Sequence, residues 1–115
     1  MAMSELEIKR CEKDIEKFMS KHRPPAHIRD KVDIGYRINN QSVELFEVRP
    51  RWDKPQVKTE IPVAKATFIK TKQIWKVYWK RSDLKWHSYD PMPQVKHLED
   101  FLNVVGEDKH SCFFS

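Results

Sequence analysis

The chain has 115 residues, 39% of them hydrophobic and 34% charged, and a formal charge of +5. That length supports one hydrophobic core, hence a single domain over residues 1–115, and the apolar runs fall far short of the ~18 residues that span a bilayer. The start, Met1-Ala2-Met3-Ser4-Glu5-Leu6-Glu7, carries acids where a secretory leader carries cations and an apolar segment, so the expected location is the cytoplasm.

Cys11 and Cys112 lie near opposite ends of the chain and are expected as reduced thiols, because two cysteines in an intracellular protein seldom form a structural disulfide. The positive charge is uneven. Residues 49–86 hold eleven Lys/Arg against Asp53, Glu60 and Asp83, a local +8 that leaves −3 for the remainder. A basic middle attracts anions, nucleic acid among them.

Ser4 followed by Glu7 forms a capping box, and Ile8, Cys11, Ile15, Phe18 and Met19 recur at helical spacing, so the first segment reads as an amphipathic helix ended by Pro24-Pro25. From residue 31 the period becomes two. Val32, Ile34, Tyr36 and Ile38 alternate with smaller or polar residues, Asn39-Asn40 supplies a tight turn, and Ser42 to Arg49 returns as a second strand. Pro50, Asp53, Lys54 and Pro55 mark a loop, after which Val63 to Lys70, Ile74 to Arg81 and Leu84 to Tyr89 read as three further strands joined at Lys72-Gln73 and Ser82-Asp83.

Those two short turns set Phe68 opposite Val77, Ala66 opposite Trp79 and Trp79 opposite Trp86. Trp75, Val77, Trp79 and Trp86 then face the core. The other side carries Lys65, Thr67, Lys76, Tyr78, Lys80, Lys85, His87 and Tyr89. Pro91 and Pro93 lead into a second helix with the stripe Val95, Leu98, Phe101, Leu102 and Val105, closed by Gly106 as C-cap, and the tail His110-Ser111-Cys112-Phe113-Phe114 is apolar enough to dock on the core. The expected fold is α+β, an antiparallel five-stranded β-meander flanked by an N-terminal and a C-terminal helix.

With Gly35 and Gly106 as its only glycines, the chain lacks a glycine-rich phosphate loop, and it has no nucleophile elbow, CxxC pair or HExxH motif. No cofactor is expected. The leading candidate site is the basic, aromatic sheet face, where Lys65, Lys76, Lys80, Lys85 and His87 offer charge and Tyr78 and Tyr89 offer rings for base stacking. Against it stands the plainer reading of a solvated sheet face, on which lysine is common.

A second constellation, Asp33 with Glu47-Val48-Arg49 on the next strand, partly resembles the acid plus acid-x-Lys hairpin that holds Mg²⁺ in many restriction-type endonucleases, with Arg49 in place of the usual Lys and no Pro before Asp33. With a two-residue Asn39-Asn40 turn, Asp33 and Glu47 point to opposite faces and share no metal; a three-residue turn would bring them together. His87, His97, His110 and Cys112 show no zinc-type spacing, His22 and His27 read as surface or capping residues, and nothing marks Cys112 as a nucleophile. Trp52 in Arg49-Pro50-Arg51-Trp52 reads either as a core lid or as an extension of the basic surface.

The strings Arg23-Pro24-Pro25 with His27-Ile28-Arg29, Leu45-Phe46-Glu47-Val48-Arg49-Pro50-Arg51-Trp52, Pro62-Val63-Ala64-Lys65-Ala66-Thr67, Trp75-Lys76-Val77-Tyr78-Trp79, Asp83-Leu84-Lys85-Trp86-His87 and Cys112-Phe113-Phe114 resemble an uncharacterised bacterial family, a domain of unknown function. The resemblance covers nearly the whole chain. Some relatives carry a label as modification-dependent restriction endonucleases, which implies nucleic acid but transfers no catalytic residue. The readings are therefore a non-enzymatic binding or accessory domain with nucleic acid as partner, a divergent metal-dependent nuclease using Asp33 and Glu47, and a homodimer or protein-interaction module.

Overall fold

The computed structural model of the chain describes residues 3–81 and 83–107. In order these form α1 (Glu5–His22), β1 (Asp33–Asn39), β2 (Ser42–Pro50), β3 (Lys58–Ile69), β4 (Ile74–Lys80), β5 (Trp86–Ser88), β6 (Gln94–Val95) and α2 (Leu98–Glu107). The fold is α+β. Strands β1 to β5 make one antiparallel meander in chain order, and β6 pairs with the same edge of β4 as β5.

The expected capping box is present: the Glu7 amide donates to the Ser4 hydroxyl at 3.2 Å and the Ser4 amide donates to the Glu7 carboxylate at 2.9 Å. The Ser4 amide, and after it the Ser4 hydroxyl, stabilise the ionised carboxylate of Glu7 and lower its pKa. The helix ends at His22, with Arg23 already extended before Pro24-Pro25.

Both helices lie on one side of the sheet. Cys11, Ile15 and Phe18 of α1 and Leu98, Phe101, Leu102 and Val105 of α2 share a single core with Val43, Leu45, Ala64, Ala66, Phe68, Trp75, Val77 and Tyr89. Gly106 lies inside α2 instead of capping it: a Cβ there would sit 2.9 Å from His22 Nε2, so the missing side chain serves the close approach of the helices. Val95, expected in the helical stripe, instead pairs with Trp75 in β6.

Each hairpin differs from its expected register by a definite number of residues. The β1–β2 turn is Asn40-Gln41, with Asn40 left-handed at φ 55° and Asn39 facing Ser42. The β3–β4 connection holds four residues, since Ile69 faces Ile74 across Lys70 to Gln73, and Phe68 faces Trp75 instead of Val77. Both shifts are by two positions, which preserves the faces. Strand β3 also begins at Lys58, five residues before the expected start at Val63. Pro62 lies within it, where its missing N–H falls beside a bulge: Leu45 faces Ala64, Phe46 faces Pro62, and Val63 is the extra residue.

The β4–β5 shift is by one position. Trp79 faces His87 and Lys80 faces Trp86, because Arg81 and Lys85, joined by a backbone hydrogen bond, enclose three residues, one more than a two-residue turn. Leu84 takes the left-handed conformation at φ 63° and donates its amide to the Arg81 carbonyl at 2.8 Å, while Asp83 Oδ1 accepts the Lys85 amide at 2.9 Å. An odd shift moves every β5 side chain to the other face. Trp86 therefore leaves the core side, and Tyr89 enters it at 2% exposure.

Among the described residues, no helix is long and apolar enough to cross a membrane. The expected docking of the tail falls on residues 108–115, outside those described.

Candidate nucleic-acid interface

With both helices on the inner face, the outer face of the sheet is assembled by strand alternation alone. Across it run the rows Asn39, Ser42, Thr67, Lys76, Gln94 and then Arg37, Glu44, Lys65, Tyr78, Ser88, with Lys80 and Trp86 paired beyond them. Three lysines and two rings from β3, β4 and β5 thus share one surface.

These groups touch. The Lys65 ammonium lies 5.1 Å from the Tyr78 ring centroid and 5.0 Å from that of Trp86, and Lys80 lies 5.4 Å from Trp86. Each lysine head is held over a ring by the attraction of a cation for the π face, which also keeps Lys65 and Lys80 half-buried. Lys76 is exposed, opposite Thr67. Ser42 and Thr67 exchange a hydroxyl hydrogen bond at 2.9 Å. Glu44, directly opposite Lys65, is the acid closest in register to the lysines.

A third ring sits on this face. Phe46 is 7% exposed yet stands outside the main core. It lies over Gly35, where an added Cβ would come within 2.6 Å of the ring, and the Arg37 guanidinium covers it at 4.6 Å from the centroid while pairing with Glu60. The glycine thus leaves room for a cross-strand ring.

Of the seven residues expected to form the interface, Lys65, Lys76, Tyr78 and Lys80 lie on the outer face. Lys85, His87 and Tyr89 do not, because the longer β4–β5 connection reverses their side. His87 Nε2 instead meets Asp83 Oδ2 at 2.8 Å, and Asp83 is held below the usual carboxylate range first by the Lys85 amide and then by His87. Trp86 is the residue that sequence reasoning placed in the core and the structure places on the outer face. Its signal was Asp83 two positions before Lys85, the spacing of an Asx turn.

Asp33 and Glu47 diverge: Asp33 faces Val48 while Glu47 faces Ile34, so the carboxylates fall on opposite sides of the sheet. Arg23 grips Asp33 with two hydrogen bonds at 2.9 and 2.8 Å, which with the Ile34 amide lower its pKa, and Glu47 pairs with Arg49 at 2.8 Å. The expected turn position was one residue off, but the two-position shift left the faces as predicted. Among the described residues no three His, Cys, Asp or Glu side chains cluster to hold a metal ion. Cys11 is a buried free thiol; Cys112 and His110 lie outside the described residues.

Comparison with protein families matches residues 3–115 to the family described as Domain of unknown function (DUF3024). The chain belongs to that family. No curated protein and no solved structure matches it. For this DUF3024 chain the case for a function therefore rests on its own surface chemistry.

Proposed function

We propose that this DUF3024 domain binds single-stranded nucleic acid on the outer face of its sheet. The observation that carries the reading is the one-sided packing of both helices, which leaves Lys65, Lys76 and Lys80 beside Tyr78 and Trp86 on adjoining strands. Lysines meet phosphates and rings stack bases, a pairing that suits an unpaired strand, whose bases have free π faces. A duplex would offer its phosphates but keep its bases stacked.

The test is an anisotropy titration of a labelled oligothymidine between about 50 and about 200 mM salt. Affinity falls with salt, and each of Lys65→Ala, Lys76→Ala and Lys80→Ala flattens the log–log slope by about 0.7, the value for one single-strand phosphate contact. Lys85→Ala, on the other side, leaves the slope unchanged. Absence of binding at low salt, or a salt dependence untouched by the three substitutions, refutes the reading.

A further inference from the structure

Strands β2 and β3 outrun their neighbours. β1 pairs with β2 only as far as Val48, and β4 pairs with β3 only from Ala64 onward, so Arg49-Pro50 and Lys58-Thr59 form a ribbon of two strands alone. Its loop is closed by the Arg51 amide on the Val57 carbonyl at 2.8 Å and the Val57 amide on the Lys54 carbonyl at 2.9 Å.

At this end Trp52 is 94% exposed, the highest value among the exposed large hydrophobic side chains of the described residues. Cations frame it: residues 49–58 contain Arg49, Arg51, Lys54 and Lys58 against the single acid Asp53. Arg51 forks onto Asp53 at 3.1 and 2.7 Å, a surface ion pair that a phosphate displaces at little cost, whereas Arg49 is held by Glu47, whose side chain is only 16% exposed. Lys58 Nζ donates to the Asp30 carbonyl at 2.6 Å, tying the ribbon to the segment after Pro25.

A protein partner needs a contiguous apolar centre, whereas here one flat ring stands among residues that are all exposed and mostly polar or charged. A single ring in a basic frame fits a single planar group carried on a phosphate chain. We propose that the ribbon is a second contact for the same strand, with Trp52 stacking on a base and Arg51 and Lys54 meeting the phosphates beside it.

This rests on the outer-face reading and adds a length requirement. Lys65 and Lys58 are seven positions apart on β3, about 23 Å at ~3.3 Å per residue, so a short oligomer on the sheet does not reach the loop. The experiment compares oligothymidines of about four and about twelve nucleotides, within the range of single-strand site sizes. Trp52→Ala weakens the longer one by about five- to 150-fold, the range for losing one stacked base, and leaves the shorter unchanged. Trp52→Phe retains most of the affinity and Trp52→Leu does not. Equal binding of the longer oligomer by wild type and Trp52→Ala, or full retention by Trp52→Leu, overturns the ribbon contact while the sheet reading stands. If wild type binds neither oligomer, the sheet reading fails and the ribbon contact with it.

Discussion

Gly35→Ala is expected to destabilise the fold although alanine suits a strand better than glycine. Gly35 has no positive φ, so its backbone accepts alanine, and the substitution by itself gains about 0.5–1 kcal/mol by restricting the unfolded chain. The obstacle is Phe46. The new methyl would lie 2.6 and 2.7 Å from two ring carbons, about 1 Å inside the ~3.5–4.0 Å of a normal carbon contact. The ring has little space to retreat, being 7% exposed and covered by Arg37, which is itself paired with Glu60.

Forcing such an overlap costs about 1–3 kcal/mol, centrally ~2, so after a gain of ~0.75 the net loss is about 1.2 kcal/mol, or a fall in Tm of roughly 5 °C. Urea unfolding followed by circular dichroism should show a lower midpoint at unchanged slope. Combining Gly35→Ala with Phe46→Leu should recover part of the loss, because the smaller side chain vacates the space; a double-mutant cycle isolates that coupling. A Gly35→Ala protein as stable as the parent would refute the reasoning.

Tyr89→Ala should cost about 3–5 kcal/mol, as for other fully buried aromatic residues, whereas Trp86→Ala on the open face should cost under about 1.5 kcal/mol; the opposite order in urea unfolding would contradict the β5 placement. Arg23, and after it the Ile34 amide, hold Asp33 below the usual carboxylate range, so its contribution to stability is present above the unfolded value near pH 4 and is lost as pH falls through the lower folded value. Asp33→Asn should flatten that part of the acid limb, and an unchanged limb would count against the pairing. Burial pushes the Cys11 thiol from 9.0 up to about 11, so the unfolded chain ionises first and stability declines as pH rises from about 9 to 11. Cys11→Ala should remove that share of the alkaline decline, and alkylation of Cys11 in the native protein should await unfolding; rapid labelling would show the site to be open.

Much of this fold follows from local chemistry. The Ser4–Glu7 box, the helical recurrence of Cys11, Ile15 and Phe18, and the prolines after His22 need no partner to be recognised, because caps and proline geometry act within a few residues. The same holds for the inner and outer sides of β3 and β4: period-two alternation separates Ala64, Ala66, Val77 and Trp79 from Lys65, Lys76, Tyr78 and Lys80 whatever the turn, provided register errors are even. Hence the lysines and Tyr78 of the candidate interface were legible, as was the divergence of Asp33 and Glu47.

Strand β5 was not, for a physical reason visible in its residues. Trp86, His87 and Tyr89 supply an aromatic group to each face, so alternation is silent and the turn alone decides the side. That turn puts a leucine, which rarely takes positive φ, at 63°, a conformation kept because the Asp83 carboxylate and the Arg81 carbonyl accept the Lys85 and Leu84 amides and because Tyr89 gains a place in the core. The bulge that carries β3 through Pro62, and with it the two-stranded ribbon that presents Trp52, likewise belongs to pairing between β2 and β3. Residues acting within a turn of chain are specified locally, whereas the side a short aromatic strand presents, and how far a hairpin extends, are settled only when distant residues compete for the same core.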